Sequence, residues 1–166
     1  MTRALAVALM LVGCSGGGTT PSPAARPTNS LEVAAIEAGM IPDPASVDIT
    51  GLYARDTDRI CIVPAAQDYR IGISVDYGDD LSCTGSGTVK RDGERLAIDL
   101  PDAPGCRFDA RFEGDRIVFP AQVPEACAKV CQSRASIAAL DVERLSESIS
   151  EASALRSNKG RSLCTD

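Results

Sequence analysis

Short charged stretches recur along this chain, and each leads directly into an apolar residue and a run of alternating polarity. Arg55-Asp56-Thr57-Asp58-Arg59 precedes Ile60, Arg91-Asp92-Gly93-Glu94-Arg95 precedes Leu96, and Phe112-Glu113-Gly114-Asp115-Arg116 precedes Ile117. Gly93 and Gly114 tolerate positive φ, and the neighbouring acids can accept from turn amides, so these stretches read as hairpin turns. Between them the side-chain period is two. Tyr69, Ile71, Ile73, Val75 and Tyr77 alternate with Arg70, Gly72, Ser74 and Asp76. Leu96, Ile98 and Leu100 repeat the pattern, as do Phe108, Ala110 and Phe112 against Arg107, Asp109 and Arg111. This describes half-buried strands, expected over 50–55, 58–64, 69–77, 82–91, 95–100, 106–112, 116–120 and 136–145. The fold class is therefore mainly β. Short antiparallel strands joined by tight turns predict a meander closing into an eight-stranded barrel, which leaves no exposed edge; a β-sandwich is the alternative.

Short helices flank the strands. Asn29 can cap a helix, Glu32 is its return partner and Gly39 a left-handed stop. Leu31, Ala34, Ala35 and Ala38 fall on one side of it, so it is expected to lie against the domain. Ile41-Pro42-Asp43-Pro44 is a connector. Pro124 opens a brief helical turn through Cys131, and Ser148 with Glu151 forms a capping-box pair for a helix bearing Ile149, Ala152 and Leu155.

Cysteine usage adds a second constraint. Six of the seven cysteines follow residue 14, and the chain has no histidine, so a disulfide framework is expected rather than a metal site. With three phenylalanines, three tyrosines and no tryptophan, the interior is modest and cross-links supplement it. The expected pairs are Cys83–Cys106 at one end of the 82–106 hairpin, Cys127–Cys131 within the helical turn, and Cys61–Cys164 as a clasp between chain ends.

The amino terminus gives an address. Arg3 is followed by an apolar run from Ala4 to Val12, shorter than the roughly 20 residues that span a bilayer but suited to a secretion signal. Leu11-Val12-Gly13-Cys14 resembles the lipobox of bacterial lipoproteins. That resemblance implies cleavage before Cys14, a diacylglycerol on its thiol and an N-acyl chain such as palmitate, with no other cofactor. It divides the chain into a signal peptide (1–13), a lipidated cysteine with a Gly/Pro/Ser/Thr-rich linker (14–29) and a disulfide-linked β domain (30–166). Ser15 stands where inner-membrane retention would call for aspartate, so the resemblance implies an outer-membrane anchor facing the periplasm. The net charge of −6 disfavours nucleic acid and suits a cationic or other periplasmic protein partner.

Without histidine no Ser-His-Asp or Cys-His arrangement is available, and no catalytic residue or metal ligand is expected. Ser86 and Lys90 lie four residues apart on an expected strand, about 13 Å from each other. Asp76-Tyr77-Gly78-Asp79-Asp80 lacks the spacing of an EF-hand and reads as a solvated turn. Thr84-Gly85-Ser86-Gly87-Thr88-Val89-Lys90 resembles the Ser-Gly loop of the membrane-bound lysozyme inhibitors. That resemblance implies a periplasmic lipoprotein barrel inserting Ser86 and Lys90 into a hydrolase cleft. The residues themselves allow a plainer reading, in which Gly85 and Gly87 relieve crowding near a disulfide. The expected function is a non-enzymatic envelope-binding module of unknown ligand. The alternatives are an inhibitor of a cationic, lysozyme-type wall hydrolase and a carrier of a small apolar ligand, which would need an open interior.

Overall fold

The computed structural model describes residues 31–165; the expected signal (1–13), Cys14 with the expected linker (14–29) and the Asn29 cap lie outside them. Eight antiparallel strands close into a barrel in sequence order: β1 (Gly51–Arg55), β2 (Asp58–Pro64), β3 (Tyr69–Asp76), β4 (Ser82–Asp92), β5 (Arg95–Asp99), β6 (Arg107–Phe112), β7 (Arg116–Val118) and β8 (Asp141–Ser146). Each strand pairs with the next, and β1 pairs with β8 to shut the cylinder. The expected barrel is thus the observed one. The turn after β4 leaves Gly93 at φ +60°, a conformation its missing side chain permits.

The last strand begins later than the sequence pattern suggested. Residues 136–140 look strand-like, but Ala139 takes a left-handed conformation and donates its N–H to the Pro120 carbonyl at 2.8 Å. That turn ends the connection from β7, and extended pairing starts only at Asp141.

Alternation sorts the side chains into two apolar clusters. Tyr53, Ile60, Ile62, Ile71, Ile73, Val75, Leu96, Ile98, Phe108, Phe112 and Ile117 belong to the barrel core. Cys61 and Val63, on the other face of β2, join Ala152, Leu163 and Cys164 in a second cluster. β2 is therefore buried on both faces, which is why Ile60-Cys61-Ile62-Val63 is continuously apolar instead of alternating. Helix α2 (Ile149–Ser153) and the chain end cover that outer face. The Ser148 hydroxyl accepts from the Glu151 N–H at 3.4 Å, as the capping-box spacing anticipated. Cys61–Cys164 holds the chain end down, with Cα atoms 6.2 Å apart. Closing so long a loop stabilises the fold by about 4.7 kcal/mol in the chain-entropy model.

Helix α1 (Leu31–Glu37) departs from expectation. None of its residues is buried and Leu31 is 90% exposed, so the Leu31/Ala34/Ala35/Ala38 side does not lie against the barrel. Three small alanines offer little area to drive such packing.

Gly72 is where the outer layer meets the wall most closely. A Cβ there would lie 2.5 Å from the Leu163 Cβ and 2.7 Å from the Cys61 Sγ. We expect Gly72→Ala to destabilise the protein by about 1–3 kcal/mol by overpacking. Urea unfolding measures this, and an unchanged midpoint would show that the outer layer yields freely.

Candidate functional site

The barrel has two mouths, and both are closed. At one, the segment 44–49 crosses the opening under two arginines that occupy inward-facing strand positions. Arg91 donates to the Val47 carbonyl and, at 2.6 Å, to the Pro44 carbonyl. Arg144 donates to the carbonyls of Asp48 at 2.5 Å and Gly114 at 3.3 Å, and pairs with Glu147 at 3.0 Å. Both guanidinium groups lie against aromatic rings. Arg91 is 5.2 Å from the Phe112 centroid, and Arg144 is 5.4 Å from Tyr53 and 5.6 Å from Phe112. The Arg144 Nε is buried with no hydrogen-bond partner among the described residues, on a guanidinium that lies over these two rings. The Tyr53 hydroxyl donates to the Ile49 carbonyl at 2.8 Å, fixing the same segment from inside. Burial pushes the Tyr53 phenol up to about 12, against the lowering influence of Arg144.

At the other mouth the long connection between β7 and β8 folds over as a lid containing a 3-10 helix (Glu125–Val130). Here the structure corrects two expected disulfides. Cys83 pairs with Cys131 and Cys106 with Cys127, replacing Cys83–Cys106 and Cys127–Cys131. Each wall cysteine thus takes a lid cysteine. The reason is geometric. Cys127 lies within the 3-10 helix, whereas Cys131 follows its end with extended backbone and forms a β-bridge with Cys83, so the two cysteines address different parts of the wall. Val123, Ala126, Val130 and Ala135 pack beneath the lid against the core. The Cys61–Cys164 pairing agrees with expectation.

Between the mouths the bore is filled. A ligand-sized interior cavity would leave the side chains lining it accessible to water. Tyr53, Ile60, Ile62, Ile71, Ile73, Leu96, Phe112 and Ile117 are each 0% accessible. A cleft of about 490 Å³ lies instead on the exterior, where β6 and β7 pair through only two residues and then part beside Phe119 and Pro120.

Ser86 and Lys90 occupy the outer wall in the middle and at the end of β4, not a projecting loop. Ser86 pairs across to Gly72, and the Lys90 Nζ lies 3.6 Å from the Asp68 carboxylate. Gly85 and Gly87 face inward at sites of close approach. A Cβ on Gly87 would fall 2.0 Å from the Asp99 carbonyl oxygen, and one on Gly85 would be 3.3 Å from Leu100. The acidic segment 76–80 is a turn in which the Gly78 N–H donates to the Asp76 carboxylate at 2.9 Å and Tyr77 N–H to the Leu81 carbonyl at 2.9 Å. Among the described residues no group of three metal-ligating side chains converges.

Most wall cations are paired. Arg116 forms a forked pair with Asp141, which Arg55 also reaches at 2.7 Å, and the Arg116 hydrogen bond holds the Asp141 carboxyl below its ordinary value. Arg95 pairs with Asp109 at 3.0 Å and Arg107 with Asp99 at 2.8 Å. One exterior cleft, of about 380 Å³, differs. Lys129, Val130, Cys131 and Gln132 of the lid line it, together with Thr84 of β4 and Ser157, Asn158, Lys159 and Arg161 of a turn near the chain end. Its charged lining is wholly cationic. Sequence reading missed it because its parts come from three distant segments that only the fold brings together, through the Cys83–Cys131 bond, the C-terminal clasp and hydrogen bonds to Ser82.

The chain matches no family model, and no curated protein or solved structure is significantly similar to it.

Digestion without reductant should release linked peptides carrying Cys83 with Cys131 and Cys106 with Cys127; a Cys127–Cys131 peptide would contradict the lid geometry. C106S/C127S should cost about 3 kcal/mol and speed hydrogen exchange across 119–140. Tyr53 generates a separate pH prediction. A phenol whose folded value lies above the unfolded value of about 10 contributes stability fully present below pH 10 and lost as pH rises through about 12. Unfolding free energy should therefore fall by roughly 2–3 kcal/mol across that window. Y53F should start about 1 kcal/mol lower, having lost the bond to Ile49, and should lack this slope. Parallel pH profiles for the two proteins would disprove the assignment.

Proposed function

We propose that this chain is a lipid-held envelope protein, anchored in the outer membrane through Cys14 and facing the periplasm, whose cross-linked barrel is a non-enzymatic module acting by surface contact. The observation that carries the contact reading is the packed bore with both mouths shut. Such a barrel offers partners its outer surface alone. Three disulfides and the arginine-held strap keep that surface in one shape, which lowers the ordering cost of binding. The lipobox-like Leu11-Val12-Gly13-Cys14 supplies the anchor in this reading, and two or more acyl chains make such an anchor stable.

The alternative readings find less support. Ser86 and Lys90 stand on a strand wall, so insertion into a hydrolase cleft would need a different element. A carrier of apolar ligands would need space inside the bore, and the core side chains occupy it.

Mass spectrometry of the protein recovered from membranes should find a terminus at Cys14 carrying diacylglycerol and an N-acyl chain, with C14S released into the soluble fraction. An unmodified terminus, or an unchanged distribution for C14S, would refute the anchor. Cross-linking in intact envelopes, followed by pull-down with and without added lysozyme, tests the contact reading. A saturable envelope partner is expected, and hydrolysis of an envelope component by the purified protein would overturn it.

A further inference from the structure

We infer that the cationic cleft between the lid and the C-terminal turn is a binding site for a phosphate group, carried by a free phosphoester or by a lipid headgroup. The inference goes beyond the contact reading and stands without it, because it is drawn from the cleft alone.

The first support is charge placement. In a chain of net charge −6, Lys129, Lys159 and Arg161 line one cleft with no carboxylate among its lining residues. Elsewhere Arg55, Lys90, Arg95, Arg107, Arg111 and Arg116 each have an acid partner, and Arg59, Arg91 and Arg156 are held by backbone carbonyls, which leaves Arg134, among the described residues, as a lone cation outside the cleft. Among the described residues Lys129 and Lys159 have none, and Arg161 reaches only the exposed Asp102 at 3.6 Å. An anion entering the cleft would meet these cations with no carboxylate of the lining to compete with it.

The second support is a buried polar group with donor capacity. Ser157 lines the cleft, is 8% exposed, and accepts the Arg161 N–H at 3.1 Å. Its hydroxyl proton has no acceptor among the described residues. A hydroxyl both donates and accepts, so Ser157 is set to donate to an oxygen entering the cleft. Hydrogen bonds hold this group in place. The Ser157 N–H donates to the Arg161 carbonyl at 2.8 Å, and the Gly160 N–H to the Ser157 carbonyl at 2.8 Å.

The third support is rigidity across the three segments that build the site. The Asn158 side-chain amide donates to the Ser82 hydroxyl at 3.2 Å, the Gln132 N–H donates to the Ser82 carbonyl at 2.7 Å, and Cys83–Cys131 joins wall to lid. Ser82, itself buried, thereby fixes both sides of the cleft. Two ammonium groups, a guanidinium and a hydroxyl donor suit an anion with several equivalent oxygens, since lysine acts as a point charge and the hydroxyl sets direction. The cleft, of about 380 Å³, leaves space for the group esterified to the phosphate.

The test uses the full chain carrying C14S, so that no acyl chain contributes to vesicle binding. ¹⁵N spectra are followed during titration with inorganic phosphate and with glycerol phosphate. Sedimentation is measured with phosphatidylcholine vesicles containing or lacking phosphatidylglycerol. Shifts are expected at residues 129–132 and 157–161. K129Q/K159Q should weaken binding by about tenfold or more with the rest of the spectrum unchanged, while K129R/K159R should retain it. S157A should weaken it by a smaller factor without altering net charge. Cosedimentation with phosphatidylglycerol vesicles, lost in K129Q/K159Q, identifies a lipid headgroup. Response to the soluble phosphates without cosedimentation identifies a free phosphoester. Shifts spread evenly over the wall arginines, unchanged binding by K129Q/K159Q, or no response to any of these probes would overturn the site.

Discussion

A small barrel filled with aliphatic side chains must keep water out of two openings, and everything distinctive in this structure follows from how that is done. The wall itself is regular hydrogen-bonded sheet and closes on itself through β1 and β8. The mouths cannot be sealed by sheet, because strands end there and leave apolar side chains and carbonyl groups facing the opening. One mouth uses covalent bonds to press an apolar lid into place. The other uses two guanidinium groups, whose several donors satisfy carbonyls of the crossing segment while their flat faces lie against Tyr53 and Phe112. Arginine suits that position because it covers aromatic surface and binds carbonyls at once.

The two solutions differ in what they depend on. The arginine-held mouth is noncovalent, and the buried Tyr53 hydroxyl that supports it must stay protonated. The lid depends on the oxidation state of four cysteines, so reduction would free it from the wall. Cys61–Cys164 plays a third part: it holds an outer layer against β2 and makes that strand buried on both faces. An outer layer so small would bring little hydrophobic stabilisation by itself, and the cross-link limits how far it can separate in the unfolded chain.

The wall was legible in the sequence because side-chain period and strand pleat are the same quantity. Seven strands fall close to where alternation places them, and the eighth is displaced because Ala139 adopts positive φ in a run whose composition looks extended. The mouths were harder to read. Arg91 and Arg144 keep phase with Val89 and Val142, so alternation does aim them inward, but a charge at an inward position looks like a break in the pattern. Two cross-links differ from expectation because neighbouring cysteines in sequence suggest local bonds, whereas the 3-10 helix ends before Cys131 and the extended backbone there carries it to Cys83. The cationic cleft left no local trace. Lys129 and Lys159 are 30 residues apart, and only the folded lid and chain end bring them together.

That cleft shows how sealing a barrel can create a surface for recognition. The lid exists to exclude water from the core, yet the same disulfide that fixes it positions Lys129 and Gln132 beside the turn bearing Ser157, Lys159 and Arg161. The cations of the wall lie flat across a sheet where carboxylates on adjacent strands can reach them, and they neutralise one another. At the lid edge the backbone turns away from the sheet, and among the described residues the exposed Asp102 alone reaches a cation of the cleft, Arg161. Unpaired charge therefore collects where the covering elements meet. A protein whose bore is closed to ligands can still hold a preorganised polar site at the joint between its closures.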